Sequence, residues 1–241
     1  MLFLTHSIFN TAPMNKTASF LMLFMAGVYT GYTQKCTLYV PNKIGAVIET
    51  TSYDKKGKET GTNTLTIKAI TNVAEGTQFL VENISKQKKS EEVPPTEYTF
   101  LCKGDRFVMD MKQFVPKEQV QSYKDAKIEA TDLDYPATMQ VGQSLADGRI
   151  TVSLTQEGMP IPMVTSVDIL NRKVTGREDV VTRAGSFNCY KIEYDVAIKM
   201  MFKINFKVTE WVAENVGSVK SETRDTNGKL SGSTLLTRLV N

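Results

Sequence analysis

Apolar and polar residues alternate with a period of two along most of the chain. Val47, Glu49, Thr51 and Tyr53 fall opposite Ile48, Thr50 and Ser52, as in a strand whose successive side chains point to opposite faces. Lys55-Lys56-Gly57-Lys58 reads as a hairpin turn, and Leu65, Ile67 and Ala69 as the returning strand. Residues 77–85 predict another strand, which runs into a polar loop over 86–95 with Pro94-Pro95 at its end. Two more strands, Glu97 to Cys102 and Arg106 to Met111, flank Gly104-Asp105, and Ile150, Val152 and Leu154 mark one after Asp147-Gly148.

The clearest alternation runs from Tyr190 to Val208. Its even positions, among them Ile192, Tyr194, Val196 and Ile204, are apolar, while Lys191, Glu193, Asp195 and Lys207 occupy odd ones. An antiparallel sheet with one buried and one wet face produces this pattern. At about 3.3 Å per residue an unbroken strand would reach roughly 60 Å, so a turn is expected near Met200-Met201-Phe202-Lys203, although no Gly or Pro marks it. Only Pro116 to Ala126 has helical character, with the proline in the first turn where its missing N–H is harmless. These signals predict a mainly β fold, an antiparallel, curled or barrel-like sheet of about ten to twelve strands with one short helix. A two-layer β-sandwich is the alternative.

Composition narrows the class. The chain has 241 residues, 41% hydrophobic and 23% charged, with a net charge of +3, which is ordinary globular usage. The amino end carries an address. Met14-Asn15-Lys16 precedes the apolar run Ala18 to Val28, and small residues follow at Gly31 and Thr33. That order predicts a signal peptide over residues 1–33, with a start at Met14 giving the more typical form. The run falls short of the ~20 apolar residues that a membrane-crossing helix needs. Residues 34–241 are then expected to form a single β-rich domain, periplasmic or secreted, with no stable membrane span after cleavage. The charge is too even for a nucleic-acid partner.

Catalytic chemistry is poorly represented. The sole histidine, His6, lies in the predicted signal peptide, which excludes a Ser-His-Asp triad, a Cys-His pair and a histidine-based zinc site from the rest. Gly142-Gln143-Ser144-Leu145-Ala146 breaks the nucleophile-elbow pattern at its last position. Asp225-Thr226-Asn227-Gly228 starts like a calcium loop, but Lys229 and Leu236 stand where ligands should be. Asp132 and Asp134 read as solvated carboxylates in a turn before Tyr135-Pro136, and Asn83-Ile84-Ser85 is a weak glycosylation pattern. Cys36, Cys102 and Cys189 allow one internal disulfide, whose pairing is a tertiary property, and Lys35 before Cys36 is a poor fit to lipid attachment. We therefore expect no enzyme, no cofactor and no metal. The D-x-x-G-K-x-x-G pattern occurs at Asp54 and again at Asp225, as two hairpins with the same turn chemistry.

Apolar residues stand where polar turns are usual: Met159, Ile161 and Met163 after one strand, Met200 and Phe202 at the inferred bend of another. Met-rich apolar surface suits adaptable contact with greasy partners. These five residues are the candidate binding residues, at a hydrophobic mouth for a lipid-like ligand held in the concave face of the sheet. The second reading is an envelope module that binds a partner protein.

Several stretches in order resemble one family. They are Cys36 with Pro41 and Gly45; Tyr53-Asp54 with Gly57-Lys58; Asp134-Tyr135-Pro136 with Gly142, Leu145 and Asp147-Gly148. Next come Asn171-Arg172-Lys173-Val174 with Gly176, the run Ala184 to Ile192, Glu210-Trp211, Val216-Gly217, Val219 to Glu222, and Gly228-Lys229-Leu230. This succession resembles the TapB family, similar to the domain of unknown function numbered 3108, exported envelope proteins of Gram-negative bacteria. The resemblance implies an extracytoplasmic β-rich protein with a curled sheet like that of lipoprotein carriers, and supplies no catalytic residues.

Overall fold

The computed structural model describes residues 36–88, 94–115, 125–155 and 162–241. They form 13 strands. Val47–Asp54 (β1), Glu59–Val73 (β2), Gly76–Gln87 (β3), Thr96–Lys103 (β4) and Arg106–Met109 (β5) form an N-terminal meander. Asp125–Thr131 (β6) and Leu133–Pro136 (β7) follow. Gly148–Thr155 (β8), Met163–Thr182 (β9), Gly185–Lys199 (β10), Lys203–Ala213 (β11), Gly217–Arg224 (β12) and Leu230–Val240 (β13) make a second meander. All pair antiparallel in one sheet, ordered β6-β8-β9-β10-β11-β12-β13-β1-β2-β3-β4-β5-β7.

That order forces curvature. β6 and β7 are the two edges of the sheet, yet only Asp132 separates them in the chain. A flat sheet of this many strands, about 4.8 Å apart, would be roughly 55–60 Å wide. Two Cα steps of about 3.8 Å cannot cross that width, so the sheet curls until its edges meet in a nearly closed barrel. Met111, Leu133 and Ile150 fill the seam, with Ile128, Val152 and Val167 packed against them. The mainly antiparallel, barrel-like fold agrees with the alternation, and the sandwich alternative falls away.

The hairpin expected within 190–208 forms between β10 and β11, closed by Met200 N–H donating to the Phe202 carbonyl at 3.1 Å. The register pairs Tyr194 with Val208 and Ile192 with Glu210, so even residues of both arms share the inner face. Three local expectations need correction. Asp125 and Ala126 open β6 rather than end a helix; residues 116–124 of the expected helix lie outside the described residues. The only helical turn described is the 3₁₀ segment Met111–Phe114, capped by the Asp110 side chain. Lys86 and Gln87 still belong to β3. Asp134 is not a solvated turn carboxylate but sits on β7 and pairs with Arg106, whereas Asp132, exposed between β6 and β7, accepts from Met111 N–H at 3.3 Å. Burial raises the Asp132 carboxyl above its ordinary value.

The segment before β1 folds into one end of the barrel. Tyr39, Val40 and Ala46 are buried with Phe79, Phe100, Phe107 and Ile192. Cys36 and Cys102 form the disulfide, which fixes this plug to β4. Leu38 accepts from Asn215 N–H at 2.7 Å, and Thr37 donates to the Ala137 carbonyl at 2.6 Å. A side chain at Gly217 would place its Cβ 2.7 Å from the Tyr39 carbonyl oxygen, so glycine permits this approach. A second core lies around Cys189, Trp211, Val219 and Leu236, joined by Val180 and Phe187 from the β9–β10 hairpin. Cys189 is a free thiol there, pushed up to about 11 by burial.

Candidate functional site

Inside the barrel, above the plug, lies a cavity of about 200 Å³. Its floor is apolar and aromatic: Tyr39, Leu65, Phe100, Phe107, Met109 and Tyr135. Phe107 organises that floor, its ring 5.4 Å from Phe100 and 5.9 Å edge-on from Tyr39. The remaining wall is mixed, with Thr50, Asn63, Ser218, Thr234 and Glu210 among Val40, Ile48, Val212 and Val216. Asn63 also lines an adjoining hollow of about 370 Å³ with Ser52, Gly61 and Ser85. Polarity therefore rises from the plugged end towards the end bearing the β1–β2 turn.

Glu210 is the charged feature of this interior. Its place on the inner face of β11, between Val208 and Val212, follows from alternation. Burial raises its carboxyl above the ordinary glutamate range, while Ser218, Arg172 and Tyr194 oppose the shift. Tyr194 donates to Glu210 Oε2 at 3.4 Å. Arg172 is 2% exposed, and its Nη1 donates to the carbonyls of Ala146 at 2.6 Å and Asp134 at 3.1 Å. Its guanidinium carbon stands 4.9 Å from the Tyr135 ring centroid. Arg172 Nη2 and the Tyr39 hydroxyl are buried without a hydrogen-bond partner among the described residues. Burying such groups unpaired costs about 1–3 kcal/mol each; of the two, only Tyr39 lines the cavity, so its hydroxyl is a point where a bound polar atom would be stabilising. Burial holds the Tyr135, Tyr39 and Tyr194 hydroxyls protonated far above neutrality.

The candidate binding residues fall elsewhere. Met200 and Phe202 cap the β10–β11 hairpin, and Met163 opens β9 beside them, because Lys199 pairs with Ser166. All three are exposed at one end of the barrel, the end opposite the plug, and none lines the cavity. Phe202 lies eight residues before Glu210 on β11, about 26 Å along the strand. They form a rim, distant from the floor. Met159 and Ile161 lie outside the described residues. Glu210 and Arg172 were missed by sequence reasoning, although Glu210 stands in the apolar phase of its strand with Val208 and Val212; Arg172 faces inward with Val174 only because β9 is irregular at Asn171, Leu170 pairing with outward Asp195. A charge in the apolar phase is the signal that could have found Glu210. Asn83 of the glycosylation pattern is buried on β3 and donates to the Thr96 and Tyr98 hydroxyls. Among the described residues no group of three His, Cys, Asp or Glu side chains is placed to hold a metal.

The DUF3108-like family pattern matches residues 43–236, nearly the whole barrel. The chain belongs to the DUF3108-like family. Two solved structures share the fold of this DUF3108-like chain. One is a Bacteroides fragilis protein with a YmcC-like fold, inferred to be exported, at 21% identity and a TM-score of 0.68. The other, from Parabacteroides distasonis, is inferred to be a lipoprotein, at 20% identity and a TM-score of 0.69. Each alignment covers 86% of this chain and 100% of the other. No curated protein matches the sequence.

Proposed function

We propose that this DUF3108-like chain is an exported, non-catalytic envelope protein that holds an apolar or amphipathic, lipid-like ligand in the concave face of its sheet. The cavity carries the reading: a largely apolar lining with a few hydroxyl, amide and carboxyl groups on its wall suits a molecule with a greasy end and a polar one. A partner-binding module would need no internal space, so the cavity favours the ligand. Its volume is close to the ~150 Å³ engineered cavity that accepts benzene. It would take the end of an acyl chain or a ring, with the rest in the polar hollow above. The signal peptide pattern, and the export or lipoprotein character inferred for the two structural relatives, support an extracytoplasmic setting.

Native mass spectrometry of the protein purified gently from its own envelope, followed by organic extraction, tests this reading. A reproducible extra mass that extracts as lipid is expected. Filling the floor by Leu65→Trp should remove it, as should replacing Met200 and Phe202 with Asp if the rim admits the ligand. A bare protein mass, repeated across gentle preparations, would overturn the reading and direct effort to partner capture.

A further inference from the structure

The end of the barrel opposite the plug carries an apolar tip surrounded by cations. Met201 is 96% exposed, Phe202 64% and Met200 51%, consecutive residues at a hairpin tip where polar side chains are usual. Met163 and Val164, exposed on neighbouring β9, extend the patch. On its β12 side the tip also projects, while β9 runs level with it on the other. Lys207 of β11 pairs with Arg224, the last residue of β12, so β11 runs on past its neighbour for four residues, about 13 Å, before the tip is reached.

Charge at this end has one dominant sign. Lys199 and Lys203 flank the tip directly, and the turn between β1 and β2 adds Lys55, Lys56 and Lys58 between the acids Asp54 and Glu59. Lys199 reaches towards buried Asp168 at 3.7 Å, but Asp168 already accepts from Arg149 at 2.6 Å, so this trio retains a net positive charge. The tip itself, Lys-Met-Met-Phe-Lys, contains no carboxylate.

We propose that this end docks on a lipid bilayer with anionic headgroups, inserting the Met200–Phe202 tip while the flanking lysines meet the headgroups. The exposed apolar side chains here are Met163, Val164, Met200, Met201 and Phe202, far fewer than the roughly 20–30 residues a side of a standard protein interface. These apolar side chains and the snorkelling lysines instead match the boundary between acyl chains and headgroups. Each lysine near such a surface strengthens binding about fivefold. The inference does not rest on a ligand in the cavity, since it concerns the outside of the rim alone.

An environment-sensitive fluorophore on Met201→Cys tests it, with Glu75→Cys in the β2–β3 turn at the opposite end as the control. Cys189 is fully buried, and Cys36 and Cys102 are bonded to each other, so labelling is selective. The full chain is mixed with phosphatidylethanolamine–phosphatidylglycerol vesicles carrying a shallow nitroxide quencher. The expected result is a blue shift and quenching at position 201 and neither at position 75. Lys203→Glu should weaken the transition about tenfold or more, and pure phosphatidylcholine should support little of it. No quenching at 201, equal quenching at both ends, or protection of 201 only by added envelope proteins would each overturn the proposal. Because position 201 reports depth locally, an apolar leader that tethers the chain cannot imitate the expected pattern.

Discussion

Arg172 lies across the face of Tyr135, and the same guanidinium ties the Asp134 and Ala146 carbonyls together from beneath. It thereby joins β7, the loop before β8 and the middle of β9, three stretches distant in sequence. Asn171, with φ of 58°, provides the irregularity that turns Arg172 inward, opposite the shift in the β9–β10 register. Arg172→Met is expected to cost about 3–5 kcal/mol, because it leaves two carbonyls without donors and removes the cation near Glu210. Urea denaturation at pH 7 measures this. Adding Glu210→Gln should recover part of the loss, since the second change removes the uncompensated carboxylate. A single variant within 1 kcal/mol of the parent would show that the guanidinium is dispensable.

Glu210 gives the interior a pH dependence of definite sign. Burial, the largest cause, places its folded-state pKa above the ordinary value of 4.5. The folded protein therefore holds a proton that the unfolded chain has released, and stability falls as pH rises from about 4.5 through the folded value. Glu210→Gln cannot titrate. Its stability relative to the parent should increase across that window and level off above it, as read from denaturation midpoints between pH 4 and pH 8. A constant difference would mean that the carboxyl titrates alike in both states.

Most of the barrel was legible because an antiparallel sheet writes its two faces into alternate residues. The bend at Met200–Lys203 was legible from length alone, without any turn residue to mark it. What alternation could not supply is how the ends meet. Asp132 joining opposite sheet edges, the plug formed by Cys36 to Val40, and the pairing of Cys36 with Cys102 are relations between segments, and local pattern says nothing about them. The site was hidden for a different reason. Met200 and Phe202 stood out by being apolar in a turn, whereas Glu210 and Arg172 are ordinary residues whose meaning lies in their phase. Once Val208 and Val212 point inward, so must Glu210, and that step needed the register.

Cys36 and Cys102, separated by 66 residues, hold the plug over the cavity with their Cα atoms 5.8 Å apart. Closing so long a loop in the unfolded chain removes much of its freedom, worth about 4 kcal/mol on chain-entropy grounds. Replacing both cysteines with serine should lower stability by about that amount. It should also loosen the segment 36–46, raising hydrogen exchange at the Gly45 amide, which bonds the Ile67 carbonyl at 2.8 Å. Cys189→Ser, at a buried free thiol, should leave exchange in that segment unchanged. If the double variant kept both its midpoint and its protection, the packing of Tyr39 and Val40 alone would hold the plug.

The two D-x-x-G-K turns are built alike down to their hydrogen bonds. Asp54 Oδ1 accepts from the Lys56 and Lys58 amides, and Asp225 Oδ1 from the Asn227 and Lys229 amides, all at 2.8–2.9 Å. Gly57 at φ of 76° and Gly228 at φ of 80° close the respective turns. A Cβ added at either glycine meets no atom within 4 Å, so alanine would be strained by backbone conformation and by nothing else. Gly57→Ala and Gly228→Ala should therefore each cost about 1 kcal/mol. The pair should add to within about 0.5 kcal/mol, because each penalty is local to its own turn even though β1 and β13 lie side by side. Chemical denaturation of the two single variants and the double variant checks both statements. A double variant much less stable than the sum would mean that the turns support one another across the cleft they share, where Lys55 and Lys229 both stand.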